Sequence, residues 1–176
     1  MNQFVTAKFS LLGSGDIAPG GKVTFTNWNP NVTACAWNFG DGSAVTNTIA
    51  TSVTHAYSNA GTYAVTLTAT DGSGTQTLTR NNFVNVYTLP VASFSYTSGT
   101  LTHPVTVNFT NTSANAEYGK WSFYNAGTSM ATTNRLSVTA GLTASFTYTN
   151  AGSYIVILQA SGPASSANVT NTITVN

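Results

Sequence analysis

The run Gly61-Thr62-Tyr63-Ala64-Val65-Thr66-Leu67-Thr68-Ala69-Thr70 alternates between two kinds of side chain. Every second position holds a residue suited to a core, namely Tyr63, Val65, Leu67 and Ala69. The positions between them hold small or hydroxylated residues, namely Thr62, Ala64, Thr66 and Thr68. Because successive side chains of a β-strand point to opposite faces of its sheet, this alternation predicts a strand with one buried face.

Similar runs recur along the chain, and helical periodicity is absent. Further strands are predicted at residues 5–11, 22–27, 34–39, 52–57 and 75–86. The turns between them are rich in residues that accept positive φ: Pro19-Gly20-Gly21, Gly40-Asp41-Gly42, Asn59-Ala60-Gly61 and Asp71-Gly72-Ser73-Gly74. Short strands separated by such turns predict an all-β sandwich or barrel.

The second half of the sequence repeats the first. Val23-Thr24-Phe25-Thr26-Asn27 returns as Val107-Asn108-Phe109-Thr110-Asn111, an offset of 84 residues (23 to 107). The segment from Tyr57 to Tyr63 returns from Tyr148 to Tyr154, an offset of 91 residues (57 to 148). A period this long indicates two domains rather than a solenoid. We expect them at residues 1–87 and 88–176, joined by a short link.

Three motifs follow one another in the first half. They are Trp37-Asn38-Phe39-Gly40-Asp41-Gly42, then His55-Ala56-Tyr57, then Gly61-Thr62-Tyr63-Ala64-Val65. In this order they resemble the PKD (polycystic kidney disease) domain family, whose motif is a Trp-x-Phe-Gly-Asp-Gly turn, a His-x-Tyr and a Gly-Thr-Tyr-x-Val strand. The resemblance implies an immunoglobulin-like β-sandwich in which these residues build the fold.

The second half carries a degenerate version of the same motifs. Trp121 and Phe123 are kept, but Tyr124-Asn125-Ala126-Gly127 replaces the Gly-Asp-Gly turn, and Phe146 stands where the family has its histidine. The matches downstream are Tyr148, Gly152, Tyr154 and Val156. The resemblance therefore implies a tandem pair of immunoglobulin-like sandwiches, each with a tryptophan buried at its centre.

Charged side chains are scarce. Asp, Glu, Lys and Arg make up 5% of the 176 residues, with a formal net charge of +1, against about 25% in an ordinary domain. The basic residues are scattered, at Lys8, Lys22, Arg80, Lys120 and Arg135, whereas phosphate neutralisation needs a cluster. We therefore expect no nucleic-acid binding, and no membrane insertion because a long apolar run is missing. Cys35 is the only cysteine, which excludes an intramolecular disulfide.

Residues suited to catalysis are few. The acids are Asp16, Asp41, Asp71 and Glu117, and none forms a close pair in sequence. A Ser–His–Asp site would have to use His55, which the PKD-like motif explains as structural, or His103, which precedes Pro104. We expect no enzyme activity, no catalytic residues, no cofactor and no metal site; a lone Ca²⁺ at one Asp-Gly turn stays an alternative.

Candidate partner contacts lie on the outer surface. Ile155 and Ile157 alternate with core residues, so they point outward where the first half has Ala64 and Thr66. Since an apolar pair on an outer sheet face is often covered, we expect it to pack on another subunit or on the first domain. Strand propensity alone is the alternative explanation.

Trp28 and the loop from Tyr124 to Met130 are the next candidate contacts. Trp28 follows a predicted strand end, in Asn27-Trp28-Asn29-Pro30. There it can stack on a sugar ring or close the end of its own sandwich, and the second is the interpretation that the sequence favours.

Two functions fit these observations. The first is a non-enzymatic structural protein of an assembly, most concretely a phage virion decoration or fibre-type protein that stabilises a capsid or mediates adhesion. The segment after Met1 does not read as a signal peptide, and a near-zero net charge tolerates association. The second is an extracellular adhesion or polysaccharide-binding module, which the PKD resemblance implies. The expected partners are capsid or surface-layer subunits, or glycans, at a virion surface or outside the cell.

Overall fold

The computed structural model describes residues 6–97, 99–125, 132–137 and 143–176, and for residues 132–137 it describes the backbone alone. The chain divides into two compact units, Met1–Thr88 and Leu89–Asn176. The regular secondary structure of the described residues consists of β-strands alone. The predicted all-β fold class is therefore confirmed.

The first unit is a sandwich of two sheets. Its strands in the described residues are β1 (Phe9–Leu12), β2 (Asp16–Ile17), β3 (Lys22–Asn27), β4 (Ala34–Asn38), β5 (Thr46–Asn47), β6 (Ser52–Ala56), β7 (Gly61–Asp71) and β8 (Gly74–Val86). One sheet has the order β1-β3-β6, and the other has the order β2-β8-β7-β4-β5. All neighbouring strands are antiparallel except β2, which runs parallel to β8.

The core of the first unit lies between these sheets. Trp37 of β4 is 0% exposed, and Phe9 of β1 meets its ring edge-on, with the centroids 5.2 Å apart. Phe25 of β3 and Leu67 of β7 are buried in the same cluster. Cys35 is also buried there, as expected for a small apolar side chain. The predicted tryptophan at the sandwich centre is confirmed for this half.

The second unit has the same two-layer plan. Its strands in the described residues are β9 (Phe94–Tyr96), β10 (Val105–Asn111), β11 (Tyr118–Asn125), β12 (Thr132–Ser137), β13 (Thr143–Tyr148), β14 (Gly152–Ser161) and β15 (Ser166–Val175). The sheets have the orders β13-β10-β9 and β12-β11-β14-β15. Trp121 is 1% exposed and packs against Phe109, Phe94 and Phe123.

A tyrosine corner closes each sandwich at the start of a long strand. The Tyr63 hydroxyl donates to the carbonyl oxygen of Asn59 at 2.8 Å, and the Tyr154 hydroxyl donates to that of Asn150 at 2.9 Å. This bond from a tyrosine to the loop before its strand is typical of immunoglobulin-like folds, and both units contain it.

The observed strands differ from the predicted ones mostly at their ends. The strand predicted at residues 5–11 is observed as β1, which begins at Phe9. Strands β2 and β5 have two residues each and were not predicted. Strands this short carry too few alternations to be recognised, and their pairing depends on neighbours distant in sequence, as for Asp16 opposite Asn85.

Candidate binding surfaces

The turn after β4 is held by a pair of ionisable side chains. Asp41 Oδ2 lies 2.7 Å from His55 Nε2, and Asp41 Oδ1 accepts hydrogen bonds from the amide and the hydroxyl of Ser43. The His55 ring stacks on Phe39, with the centroids 4.0 Å apart, and meets Tyr57 edge-on. The stacking on Phe39 and the hydrogen bonds to Ser43 account for both side chains, so Asp41 and His55 serve to fix the turn.

The second unit has aromatic packing in place of the Asp41–His55 contact. Phe146 stacks on Phe123 at 4.6 Å, as His55 stacks on Phe39, and then contacts Tyr148. Burial raises the pKa of the Tyr148 phenol, as it does for Tyr57. The two phenols differ in hydrogen bonding: Tyr57 donates to the carbonyl oxygen of Phe39 at 3.2 Å, whereas the buried Tyr148 hydroxyl has no partner among the described residues.

This difference predicts opposite outcomes for one substitution at two matched positions. Tyr57→Phe should lower the free energy of unfolding by about 1 kcal/mol, because it leaves the buried Phe39 carbonyl without its donor. Tyr148→Phe should be neutral or stabilising, because it removes a buried hydroxyl that makes no hydrogen bond. Urea denaturation of the two variants measures both values, and equal losses at the two positions would contradict the prediction.

The outer face of the sheet β12-β11-β14-β15 carries an apolar patch. Ile155 and Ile157 alternate with the buried residues of β14 and are only partly exposed. The register places Tyr124 of β11 directly opposite Ile155. We call Tyr124, Ile155 and Ile157 the β11–β14 patch; Met130, the other end of the candidate loop, lies outside the described residues.

Hydroxylated residues surround the β11–β14 patch. Ser122 stands opposite Ile157 on β11. On β15, Thr172 stands opposite Ile155 and Thr170 stands opposite Ile157. Cross-strand partners share one face of a sheet. The patch is therefore an apolar centre with hydroxylated neighbours on β11 and β15, and Lys120 lies on the same face beyond Ser122.

The matching face of the first unit is lined by threonine pairs instead. The hydroxyls of Thr66 and Thr79 are 2.9 Å apart, those of Thr68 and Thr77 are 3.0 Å apart, and those of Thr70 and Thr75 are 2.9 Å apart. These pairs join β7 to β8 across the outer surface. The position of Thr66 in the first unit is thus polar, whereas the matching position in the second unit holds the apolar Ile157.

A shallow groove of about 400 Å³ borders this threonine surface. It is lined by Thr33, Ala34, Cys35, Ala36, Asn47, Thr48, Ile49, Thr68 and Thr70. No charged side chain lines it. The groove is not predictable from local sequence patterns, because its wall combines residues of β4, β7 and the segment 47–49, which are distant in sequence.

Trp28 lies on the outer surface of the first unit. It is 58% exposed, and its indole Nε1 donates to the hydroxyl of Ser10 on β1 at 2.9 Å. Trp28 does not close the end of its own sandwich, the interpretation that the sequence favoured. The buried side chains of Asn27 and Asn29 hydrogen-bond to each other beneath the loop, and the Trp28 side chain stays exposed to solvent.

Other ionisable groups are dispersed over the described residues. The described residues contain no group of three or more His, Cys, Asp or Glu side chains that could hold a metal ion. His103 is exposed and its Nδ1 lies 3.0 Å from the carbonyl oxygen of Asn176. Asp16 accepts a hydrogen bond from Asn85. A helix able to cross a membrane is likewise not found in the described part of the chain.

Solved structures share the fold at low sequence identity. The crystal structure of murine CEACAM1b aligns with a TM-score of 0.53 and 17% identity, covering 96% of this chain and 99% of that chain. A chain in the crystal structure of mouse coronavirus receptor-binding domain complexed with its murine receptor gives a TM-score of 0.53 and 16% identity, with 96% and 99% covered. No curated protein matches the chain. These likenesses confirm the immunoglobulin-like β-sandwich fold.

The model of the PKD domain family matches residues 12–86. The match includes the Trp37–Gly42 turn, His55 and the strand from Gly61 that carried the resemblance in sequence. Domains of this family are typically non-catalytic binding or structural modules. That the second unit is a degenerate copy of the same domain stays a prediction. The first unit, in contrast, belongs to the PKD domain family.

Proposed function

We propose that this protein is a non-enzymatic component of a larger assembly and that the β11–β14 patch docks on another protein subunit. The concrete form of the proposal is a phage virion decoration or fibre-type protein, located at the virion surface, that stabilises the capsid or mediates adhesion. The observation that carries it is the register of Tyr124 opposite Ile155, which joins two separately recognised candidates into one patch.

The chemistry of the β11–β14 patch suits a protein partner. Interface centres are enriched in aromatic and apolar side chains and depleted of charge, with a polar rim around them. Strands β11, β14 and β15 contain no Asp or Glu, and Lys120 is their only charged residue. Two of its three side chains, Ile155 and Ile157, are branched aliphatics without a ring face that could stack on a sugar, so we assign the patch to the apolar surface of a subunit.

A second candidate function is extracellular adhesion or polysaccharide binding. The specific observation in its favour is Trp28, which exposes 58% of its surface on the first unit. PKD domains are usually extracellular or surface-exposed. This candidate uses a different unit and a different kind of side chain, so the two functions can be tested separately.

The docking proposal predicts the effect of a double variant. Ile155→Ala with Ile157→Thr gives the second unit the residues that the first unit has at the matching positions, Ala64 and Thr66. We expect the purified wild-type chain to co-sediment with particles of its source virus. The number of chains bound per particle should reach a plateau as the chain is added. The double variant should lose at least about tenfold in affinity, because truncating central apolar contacts costs more than 1 kcal/mol each.

A matched control tests whether the loss is specific to the patch. Thr66→Ala changes the corresponding face of the first unit and should leave co-sedimentation unchanged. Circular dichroism checks that both variants keep the β-sheet spectrum. Equal binding by the wild type and the double variant, or no co-sedimentation of the wild type, would refute docking through this patch.

A further inference from the structure

The loop that carries Trp28 is held by a buried network of amide groups. Asn29 Oδ1 accepts the amide of Lys8 at 2.9 Å, and Asn29 Nδ2 donates to the Lys8 carbonyl at 3.0 Å. Asn27 Oδ1 accepts from the Asn29 amide, and Asn27 Nδ2 donates to Cys35 Sγ at 3.3 Å. Asn27 and Asn29 are 6% and 9% exposed. Because a satisfied buried polar network is rigid, the backbone of Trp28 is fixed before any ligand arrives.

The indole ring itself is tethered to the sheet. Trp28 Nε1 donates to Ser10 Oγ, and the Trp28 amide donates to the Lys8 carbonyl at 3.0 Å. Ser10 alternates with core residues Phe9 and Leu11, so its hydroxyl lies on the outer face of the sheet β1-β3-β6. The only hydrogen-bond donor of the indole is therefore used within the protein, and what the exposed ring offers is its apolar π surface.

Two rows of neutral side chains continue from Trp28 across this outer face. The first row, set by the strand register, is Ser10, Thr26 and Ser52. The second row is Leu12, Thr24 and Thr54, in which the two threonine hydroxyls are 2.8 Å apart and Leu12 is 75% exposed. Strand spacing places neighbouring members of a row about 5 Å apart.

These features together define the chemistry of a ligand. We propose that Trp28 and the hydroxyl rows of the sheet β1-β3-β6 form a binding site for a neutral pyranose glycan. A pyranose ring presents an apolar C–H face that stacks on an aromatic ring, while its equatorial hydroxyls exchange hydrogen bonds with hydroxyl groups at the side. Strands β1, β3 and β6 contain no acidic residue; Lys22 lies at the far end of β3, and Lys8, the residue before β1, accepts the Trp28 amide through its backbone carbonyl.

The rigid presentation of Trp28 matters for affinity. A side chain and loop that are already ordered lose little conformational entropy on binding, and an aromatic with two χ angles loses less than a long flexible chain. The proposal does not depend on docking through the β11–β14 patch, which is in the other unit. It supplies the site on which the second candidate function rests.

Affinity electrophoresis of the full chain tests the proposal. The wild type is run through native gels containing hydroxyethyl cellulose, galactomannan, xylan or soluble starch, and through a gel without polysaccharide. We expect at least one polysaccharide to retard it. Trp28→Ala should weaken that binding about thirtyfold or more, the size typical of a truncated aromatic hot spot. Trp28→Phe should retain part of the binding because it keeps a stacking face.

Tryptophan fluorescence provides an independent readout on the same site. Trp37 and Trp121 are 0% and 1% exposed, so acrylamide quenches mainly Trp28. The retarding polysaccharide should protect the wild type from quenching. The double variant Ile155→Ala with Ile157→Thr should bind the polysaccharide as the wild type does, which separates this site from the docking patch. Retardation that survives Trp28→Ala, or no retardation in any of the four gels, would overturn the proposal.

Discussion

Gly40→Ala is expected to lower the free energy of unfolding of the first unit by about 3 kcal/mol or more. Gly40 has φ of 78°, in the left-handed region that disfavours a side chain. A Cβ atom at this position would also lie 2.2 Å from the carbonyl oxygen of Ala64 on β7. That oxygen belongs to the backbone of a central strand and cannot move aside without shifting the sheet. The substitution therefore combines backbone strain with a steric clash.

Gly42→Ala separates the two contributions. Gly42 has nearly the same backbone angle, with φ of 82°, but a Cβ atom there meets nothing within 4 Å. We expect this control to cost only the strain, about 1 kcal/mol. Urea denaturation gives the two free energies, and amide hydrogen exchange in β4 and β7 assigns the loss to the first unit. Equal costs for the two variants would show that the approach of Ala64 is not a constraint.

The sequence predicts the sandwich because its core residues obey a local rule. The alternation around Val65 and Leu67 marks a strand with one buried face, and both side chains are 0% exposed. Four of the seven glycines in the predicted turns, Gly20, Gly40, Gly42 and Gly74, have positive φ. The reason why Gly40 in particular tolerates no side chain was not predictable from the sequence. It depends on how close the backbone of β7 lies to the turn.

The binding surfaces depend on contacts between residues far apart in sequence. Ile155 and Ile157 could be assigned to an outer face from alternation alone. Their neighbour Tyr124 could be found only by aligning Trp121 with Leu158, the register that the sheet adopts. The exposure of Trp28 depends on hydrogen bonds between Asn29 and Lys8, 21 residues apart. No local pattern in Asn27-Trp28-Asn29 distinguishes an exposed tryptophan from one that caps the core.

Asp41→Ala is expected to cost the first unit about 2 kcal/mol at pH 7, because it removes three contacts to a charged group. Asp41 Oδ1 accepts from the Ser43 hydroxyl at 2.6 Å and from its amide at 3.1 Å, and Oδ2 lies 2.7 Å from His55 Nε2. The loss of the last contact also frees the His55 ring that stacks on Phe39. Thermal or urea denaturation of the full chain measures the cost.

The cost of Asp41→Ala should depend on pH in a defined direction. Burial raises the pKa of Asp41, but the hydrogen bonds from Ser43 and His55 outweigh burial, so its pKa in the folded protein is below the ordinary value. A carboxyl with a lowered folded pKa stabilises the fold above its unfolded pKa of about 3.9, and that stabilisation is lost as pH falls through the folded pKa. The difference between the wild type and the variant should therefore shrink as pH falls below about 4.

Asp71→Ala provides the matched control for the histidine contact. Asp71 accepts from the hydroxyl of Ser73 at 2.6 Å and from its amide at 2.7 Å, which reproduces the Asp41–Ser43 turn without a histidine. These hydrogen bonds lower the pKa of Asp71 as well, so both variants should lose their effect at low pH. The difference between the costs of the two variants then measures the contact between Asp41 and His55. In the second unit Phe146 stands at the position of His55, and stacking takes the place of this contact. If the two variants cost the same at pH 7, the His55 contact contributes nothing and the serine turn accounts for the whole effect.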